Sequence, residues 1–575
     1  MYLSPEEKAA GQANFQNAIG VTRRDFLKTG IAAGAVSGAG LGAMYFGYEA
    51  SVGNPLRIGV IGTGDEGNVL LGAITPSFIQ VVAISDIRPY NVHRAFHGDH
   101  SSENALRVRS GLMQKYGWNS EDEARKHVKV YDQDYHDLLA DPAVEAVVIA
   151  LPLHLHSGVA IEAMKAGKHV LTEKLMGHSV HECKEMARFA QQSGKILATG
   201  HQRHYSILYD NAVDTIRRGL IGEIHSIRAQ WHRDNMPGHD SWSMPLPDDK
   251  MGQRIARLTK ELETARGLAI DKLGKEITRL ASLRRDIEAA RASTVDTISH
   301  ELDQLTLQYL DHAVKAENFG YQEVTLADGR RRSALEELIR WRLWNRTGGG
   351  LMAELGSHQL DAAGIFISGL RSDGEKALPL TVSAVGVRSL FPLDRDCEDH
   401  VYCVYEFPGP DYESDPNKKI GVTYSSINGN GFGGYGETVM GTKGTLILER
   451  EQEVMLFSNS APATTSITVS KDKKGAPTLD TTQSGGGEAA AVGKKALEGP
   501  VSRGYTEELE HWAWCIRNPD PKNQPRCRPK VALGDAVIAL TTNIAIRENR
   551  RIEFKKEWFD IDSDETPEGV APRAV

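Results

Sequence analysis

Over the first third of the chain, apolar residues fall into short β-branched runs separated by stretches of helical period. The runs are LRIGVI at 56–61, VVAISD at 81–86, HVKVYD at 127–132, AVEAVVIAL at 143–151 and KHVLTEK at 168–174. Nearly continuous apolar runs mark strands covered on both faces, and helices between them impose crossover connections. The pattern predicts a doubly wound parallel α/β sheet of the Rossmann kind. From Glu223 the pattern turns to alternation, in IHSIRAQWH, LTVSAVGVRSL, HVYCVYEF, KIGVTYSSI and ETVMGTKGTLILER. Every second residue then faces one side, which predicts a large, mainly antiparallel, half-exposed sheet. Two helical stretches, EELEHWAWCIRN and ALGDAVIALTTNIAIRENR, complete this second, α+β domain.

A third pattern interrupts the second. Between Asp248 and about Arg340 the chain is proline-free, highly charged and helical in period. Val295, Ile298, Leu302, Leu305 and Tyr309 are spaced 3, 4, 3, 4, and Ile255, Leu258, Leu262 and Ala265 begin a similar seam. Two or three helices in an antiparallel arm fit this spacing. Its roles stay open between an oligomer contact, a cover over the substrate cleft and a solvated decoration.

A length of 575 residues exceeds one ordinary domain. The divisions expected are a targeting segment at 1–53, a nucleotide domain at 55–200 and a substrate domain at 201–560. The last carries the insertion 248–340 and a low-complexity surface loop at 461–499. Hydrophobic residues make up 40% and charged residues 25%, which excludes wholesale disorder and a polytopic membrane protein. A formal net charge of -9 excludes broad nucleic-acid binding. Five cysteines cannot all pair within one chain. Cys397 and Cys403 are too far apart along one strand to bridge, whereas Cys515 and Cys527 have the reach to meet. No C-x-x-C spacing occurs, so no metal site is expected.

The glycines sort the candidate chemistry. Thr22-Arg23-Arg24-Asp25-Phe26-Leu27-Lys28 precedes a Gly/Ala-rich uncharged run. The string resembles a twin-arginine export signal, which implies the translocase as a partner and a periplasmic location, with the segment cleaved or kept as an anchor. A second cluster, Gly62-Thr63-Gly64-Asp65-Glu66-Gly67, follows an apolar strand and opens a helix, and Asp86 ends the next strand. In a dinucleotide turn Gly62 permits the tight bend, Gly64 lets the pyrophosphate approach and Gly67 lets the helix pack close. Asp86 would bind ribose hydroxyls and repel a 2'-phosphate, so NAD is expected over NADP. Arg88 softens that preference.

Ala150-Leu151-Pro152-Leu153-His154-Leu155-His156, then Gly167-Lys168-His169-Val170-Leu171-Thr172-Glu173-Lys174, then Thr199-Gly200-His201-Gln202-Arg203 resemble the Gfo/Idh/MocA family of sugar and cyclitol oxidoreductases. So does Gly348-Gly349-Gly350-Leu351-Met352-Ala353-Glu354-Leu355-Gly356-Ser357-His358-Gln359-Leu360-Asp361, with Glu354 where the family has Asp. Leu175 stands where the family has a proline preceded by a cis peptide. The resemblance implies that Lys174 and His358 act together on a substrate hydroxyl, with Glu354 holding the hydroxyl or the imidazole. It also implies that Leu151, Pro152, His156, Glu173 and Gln202 line the cofactor cleft. The spacing i, i+4, i+7 puts Glu354, His358 and Asp361 on one helix face, and His358 unperturbed titrates near neutrality. His201, Arg203, Asp361, Trp341 and Trp344 rank second, as substrate contacts, with Trp231 a further stacking residue.

The function expected is NAD-dependent oxidation or reduction of a sugar, cyclitol or glycoside hydroxyl, by a homo-oligomer formed through the second sheet and, in one reading, the insertion. Export leaves no free NAD pool, so the cofactor is expected to stay bound or to be reoxidised in place by a second substrate or a carrier. Two alternatives stand beside it: a glycosidase that oxidises C3 transiently, eliminates the aglycone and reduces the ketone again, and a non-catalytic sugar-binding protein on the same fold.

Overall fold

The computed structural model describes residues 3–30, 41–238, 240–276, 298–299, 301–371, 373–471, 477–480 and 503–573. Helix α1 (Pro5–Gly30) comes first. Its Phe15, Ala18 and Ile19 are buried, as is Asn14. Helix α2 (Leu41–Phe46) follows, and Phe46 and Tyr48 are buried against the body of the protein. The side chains of the Thr22–Lys28 string, and residues 31–40 of the Gly/Ala run, lie outside the described residues, and with them the export and anchor readings.

The first sheet is parallel and six-stranded: β1 (Leu56–Ile61), β2 (Ile79–Ser85), β3 (Lys129–Tyr131), β4 (Ala146–Ile149), β5 (His169–Glu173) and β6 (Leu197–Gly200). Its order is β3-β2-β1-β4-β5-β6, so the chain reverses direction across the sheet between β1 and β4 and leaves a crevice at their carboxyl ends. Helices α3 (Asp65–Ala73), α4 (Pro89–His97), α5 (His156–Lys165) and α6 (Val180–Ser193) cover its two faces. Burial agrees with the apolar runs: β4 is buried at every position.

The second sheet has eight strands. They are β7 (Ile224–Arg233), β8 (Thr381–Val387), β9 (His400–Pro408), β10 (Lys419–Asn428), β11 (Tyr435–Gly441), β12 (Gly444–Glu449), β13 (Glu453–Ser458) and β14 (Ile552–Glu553). Their order is β13-β12-β11-β7-β10-β9-β8-β14, antiparallel throughout except for the β7/β10 pair. Residues alternate buried and exposed along β9 and β10, as the sequence pattern requires. Among the inserted elements are helix α7 (Asp249–Glu276) and a returning helix at 301–309. The two seams meet there, since Met251, Leu258 and Leu305 form one apolar cluster with Ile255, Ile298, Leu302 and Tyr309. Val295 lies outside the described residues.

Helix α8 (Ser357–Ser368) and the closing helices α9 (Tyr505–Arg517) and α10 (Pro529–Glu548) complete the fold. Among the described residues α10 alone is long and apolar enough to cross a membrane, and it is mostly buried in the protein core. Two expectations change. All five cysteines are free and buried; Cys515 sits beside His511 on α9, and Cys527 joins the core on the far side of β6. The loop 461–499 is not uniformly loose, because Thr468–Lys471 pairs with Pro477–Asp480 and Ile467 is buried beneath α1. Residues 481–499 lie outside the described residues.

Candidate active site

One cavity of about 1000 Å³ runs from the β1–α3 turn to helix α8. At its first end Gly62 adopts φ +88, and a Cβ there would meet the Ala150 carbonyl oxygen at 2.4 Å. A Cβ on Gly67 would meet the Gly62 carbonyl oxygen at 2.1 Å, so α3 packs against the turn as closely as backbone allows. Gly64 faces open space, with only Asn91 Nδ2 at 3.8 Å from a Cβ. The free amides of α3 begin there, which suits an anion. Asp86 accepts hydrogen bonds from the amides of Thr63 and Arg88, both at 2.8 Å, and from Asn91 Nδ2 at 3.1 Å. Burial pushes its carboxyl up while those amides favour the charged form.

The other end gathers charged and titratable side chains. Lys174 Nζ donates to the Glu354 carbonyl oxygen at 2.7 Å and stands 3.9 Å from its carboxylate. Arg342 Nε donates to Glu354 Oε1 at 2.9 Å. Burial alone would raise the Glu354 carboxyl, but Arg342, Lys174 and Arg233 outweigh it and hold it at about 2. His358 lies between Trp231, ring centroids 5.7 Å apart, and His201, 6.4 Å away. Burial, then Lys174 and Arg203, push His358 well below its ordinary value. The direction of that shift favours the neutral imidazole. Glu173 moves the other way: burial and then Glu66 push it up to about 8, against the pull of Lys174. Its Oε1 is buried and finds no hydrogen-bond partner among the described residues. The peptide bond between Lys174 and Leu175 is cis.

The cavity brings together Gly62, Gly64, Asp86, Arg88, Leu151, Pro152, His156, Glu173, Lys174, Gln202, Trp341, Glu354 and His358 from the residues expected on sequence grounds. Within that set His156 serves the wall: its two ring nitrogens bond the carbonyls of Leu175 and Leu151, both at 2.7 Å. Four expected substrate contacts are placed elsewhere. Arg203 is buried between Glu437 and Glu451, at 3.1 and 2.7 Å. Trp344 is buried under Arg332. His201 and Asp361 belong to a buried polar cluster behind His358, in which Lys376 Nζ stands 2.7 Å from both Asp361 and Asp535 and His204 bonds Asp361 at 2.9 Å.

Asp361 does not line the cavity, although His358 one turn earlier on the same helix does; its carboxylate is taken up by His204 and Lys376 instead, and Met352–Gly356, just before α8, is a π turn. Sequence reasoning missed Arg342, Arg233 and Tyr505, which also line the cavity. Arg342 is flanked by Arg340 and Arg346, and nothing in the string RWRLWNR singles it out.

The cleft suits a dinucleotide by its own geometry, with an open glycine cradle, a helix start, the Asp86 carboxylate just past β2 and, at the far end, a carboxyl oxygen with no partner among the described residues. Residues 56–201 match the model of the Gfo/Idh/MocA oxidoreductase family, described as an NAD-binding Rossmann fold. A 1,5-anhydro-D-fructose reductase of Ensifer adhaerens is 29% identical over 131 residues, 23% of this chain and 39% of that protein. An inositol 2-dehydrogenase of Salmonella typhimurium is 29% identical over 171 residues, 29% of this chain and 43% of that protein. A glycosyl hydrolase family 109 protein of Solibacter usitatus is 25% identical over 222 residues, 37% of this chain and 46% of that protein. The chain spans under half the length of each of these relatives. Glycine turn, strand order and family model agree that residues 56–201 form a Rossmann-type domain similar to the NAD-binding domain of the Gfo/Idh/MocA oxidoreductase family.

Proposed function

We propose that the chain is an exported oxidoreductase that uses a retained NAD to oxidise or reduce a hydroxyl of a sugar, cyclitol or glycoside. The observation that carries this is the convergence of Lys174, Glu354 and His358 in the same cavity as the Gly62–Gly64 turn and Asp86. When bound, NAD supplies the hydride acceptor or donor. Lys174 is positioned to donate a hydrogen bond to the reacting oxygen and to stabilise charge developing there. His358, neutral and adjacent, accepts the hydroxyl proton. Glu354 stays ionised and offsets Lys174 and Arg342, which keeps their charges tolerable in a desolvated pocket.

A second reading, a redox-neutral glycosidase, is favoured by the glycosyl hydrolase relative. One experiment addresses both. The chain is recovered from the periplasmic fraction and denatured, and the released dinucleotide is measured; close to one NAD per chain is expected, and its absence together with no binding of added NAD sinks both enzyme readings. Glycosides are then added to the intact protein. Accumulating NADH marks net oxidation, whereas release of aglycone without NADH marks the glycosidase. Lys174→Ala should lower kcat by about 10²-fold or more with NAD still bound, and a variant of near-normal activity refutes its role.

A further inference from the structure

Past its helical part, the inserted segment returns to the nucleotide domain rather than to the substrate end. Asp311, in the turn Leu310–Ala313, is 1% exposed. Its Oδ2 accepts from Arg88 Nε at 2.9 Å, and its Oδ1 accepts from the Tyr90 amide at 3.1 Å. Arg88 is the cation two residues beyond Asp86, where a basic side chain is placed to meet a ribose 2'-phosphate. The segment is fixed in that position. Glu337, fully buried, accepts from the Gln322 amide at 2.8 Å and pairs with Arg332 at 2.7 Å and with Arg346. Ile87, between Asp86 and Arg88, packs with Ala316, Tyr321, Ala334 and Leu338 of the segment. Phe319 and Tyr321 line the same cavity as Asp86 and Arg88.

We propose that Asp311 is the residue that sets cofactor choice, selecting NAD against NADP by occupying Arg88. The proposal rests on the NAD reading of the cleft. An Arg88 guanidinium tied to a buried carboxylate has its charge offset and its Nε committed, so a dianionic 2'-phosphate meets no uncompensated cation. It meets instead the Asp86 carboxylate, with the negative charge of Asp311 buried behind Arg88. The ribose hydroxyls of NAD lose nothing by this, since Asp86 remains to accept from them. The insertion, which the sequence left between an oligomer contact, a cleft cover and a decoration, thus acts on the adenosine end of the cofactor through one side chain.

The test uses the full-length protein and measures NAD and NADP, both as released on denaturation and as bound when each is added. Wild type is expected to hold NAD and to show no competition from NADP. Asp311→Asn keeps an acceptor for the Tyr90 amide but removes the charge. It should shift the NADP-to-NAD affinity ratio toward NADP by about 10- to 100-fold, the worth of one charge-assisted hydrogen bond. Asp311→Glu should keep the wild-type ratio. In the double variant Arg88→Ala, Asp311→Asn the gain should vanish, because it acts through Arg88. A wild-type ratio in Asp311→Asn, or an equal gain in the double variant, overturns the proposal while leaving the NAD reading intact. Wild-type protein that carries NADP overturns it without recourse to any variant, should Asp311→Asn fail to fold. A chain that binds neither dinucleotide overturns the NAD reading as well.

Discussion

Glu173 and Glu354 are carboxyls on two sides of Lys174, yet burial and neighbours drive them in opposite directions. Glu173 is raised from 4.5 to about 8 by burial and by Glu66. A group raised in the folded state lends stability below its unfolded value and loses it as pH climbs through the folded one. The cofactor-free chain should therefore lose stability as pH rises from about 4.5 to about 8, and Glu173→Gln should flatten that fall in urea midpoints measured across the range. An identical slope in the variant would show that Glu173 ionises freely in the fold. Glu354, held at about 2, has the opposite sign: its stabilisation is present above about 4.5 and fades as pH falls toward 2. Lys174, Glu354 and His358 were legible because each stands in a string that resembles the Gfo/Idh/MocA family, and the structure brings the three into one cavity. Arg342 was not legible, since its pairing with Glu354 depends on where a 3-10 turn at Trp341–Leu343 delivers one arginine among several. The placement of Asp361 was hidden for a similar reason: its partners His204 and Lys376, and Asp535 beyond them, come from other elements that periodicity along one helix does not show.

At the scale of elements, α1 carries the largest difference between pattern and structure. Its apolar residues are sparse, so the sequence offers no clear face, and the arginine pair draws attention to targeting instead. The docking is polar at its centre. Asn14 Nδ2 donates to the Leu456 carbonyl at 3.0 Å while its Oδ1 accepts from the Ile467 amide at 2.7 Å, so one amide side chain completes both β13 and the strand leading into Thr468–Lys471. Phe15 fills the adjoining core. Removing the amide leaves two buried backbone groups unsatisfied, at about 1–3 kcal/mol each. Asn14→Ala should speed hydrogen exchange in β13 and around Ile467 while leaving β1 and β4 unchanged, because β13 is an edge strand that opens locally. Unaltered exchange at β13 would mean that α1 does not pack there in solution. The insertion was easier to read: Leu258 and Leu305 lie on seams whose spacing alone requires a partner helix, and each supplies it to the other.

At the scale of the whole molecule, the closing helices decide how the two sheets behave together. The sequence marks EELEHWAWCIRN as a helix but not which sheet it covers; it covers the nucleotide sheet. Leu509, Trp512 and Ala513 of α9 share a core with Leu56, Ile58 and Val60 of β1. On the opposite face, Val170 of β5 and Leu197 of β6 share a core with Val537 and Ala539 of α10 and with Val422 and Val439 of the second sheet. Each side of the nucleotide sheet is thus closed in part by chain that comes after β13 in sequence, and among the described residues the core holding β5 and β6 runs into the second sheet. The expected consequence is cooperative unfolding, with β1 and β10 losing hydrogen-exchange protection at the same denaturant concentration. Trp512, fully buried on α9, offers the sharper test. Trp512→Ala should cost about 3–5 kcal/mol and lower the midpoints of β1 and β10 together, although Trp512 touches only the first of these cores. A variant in which β1 alone loses protection, with β10 unchanged, would show that the two sheets fold independently and that α9 merely rests on the nucleotide domain.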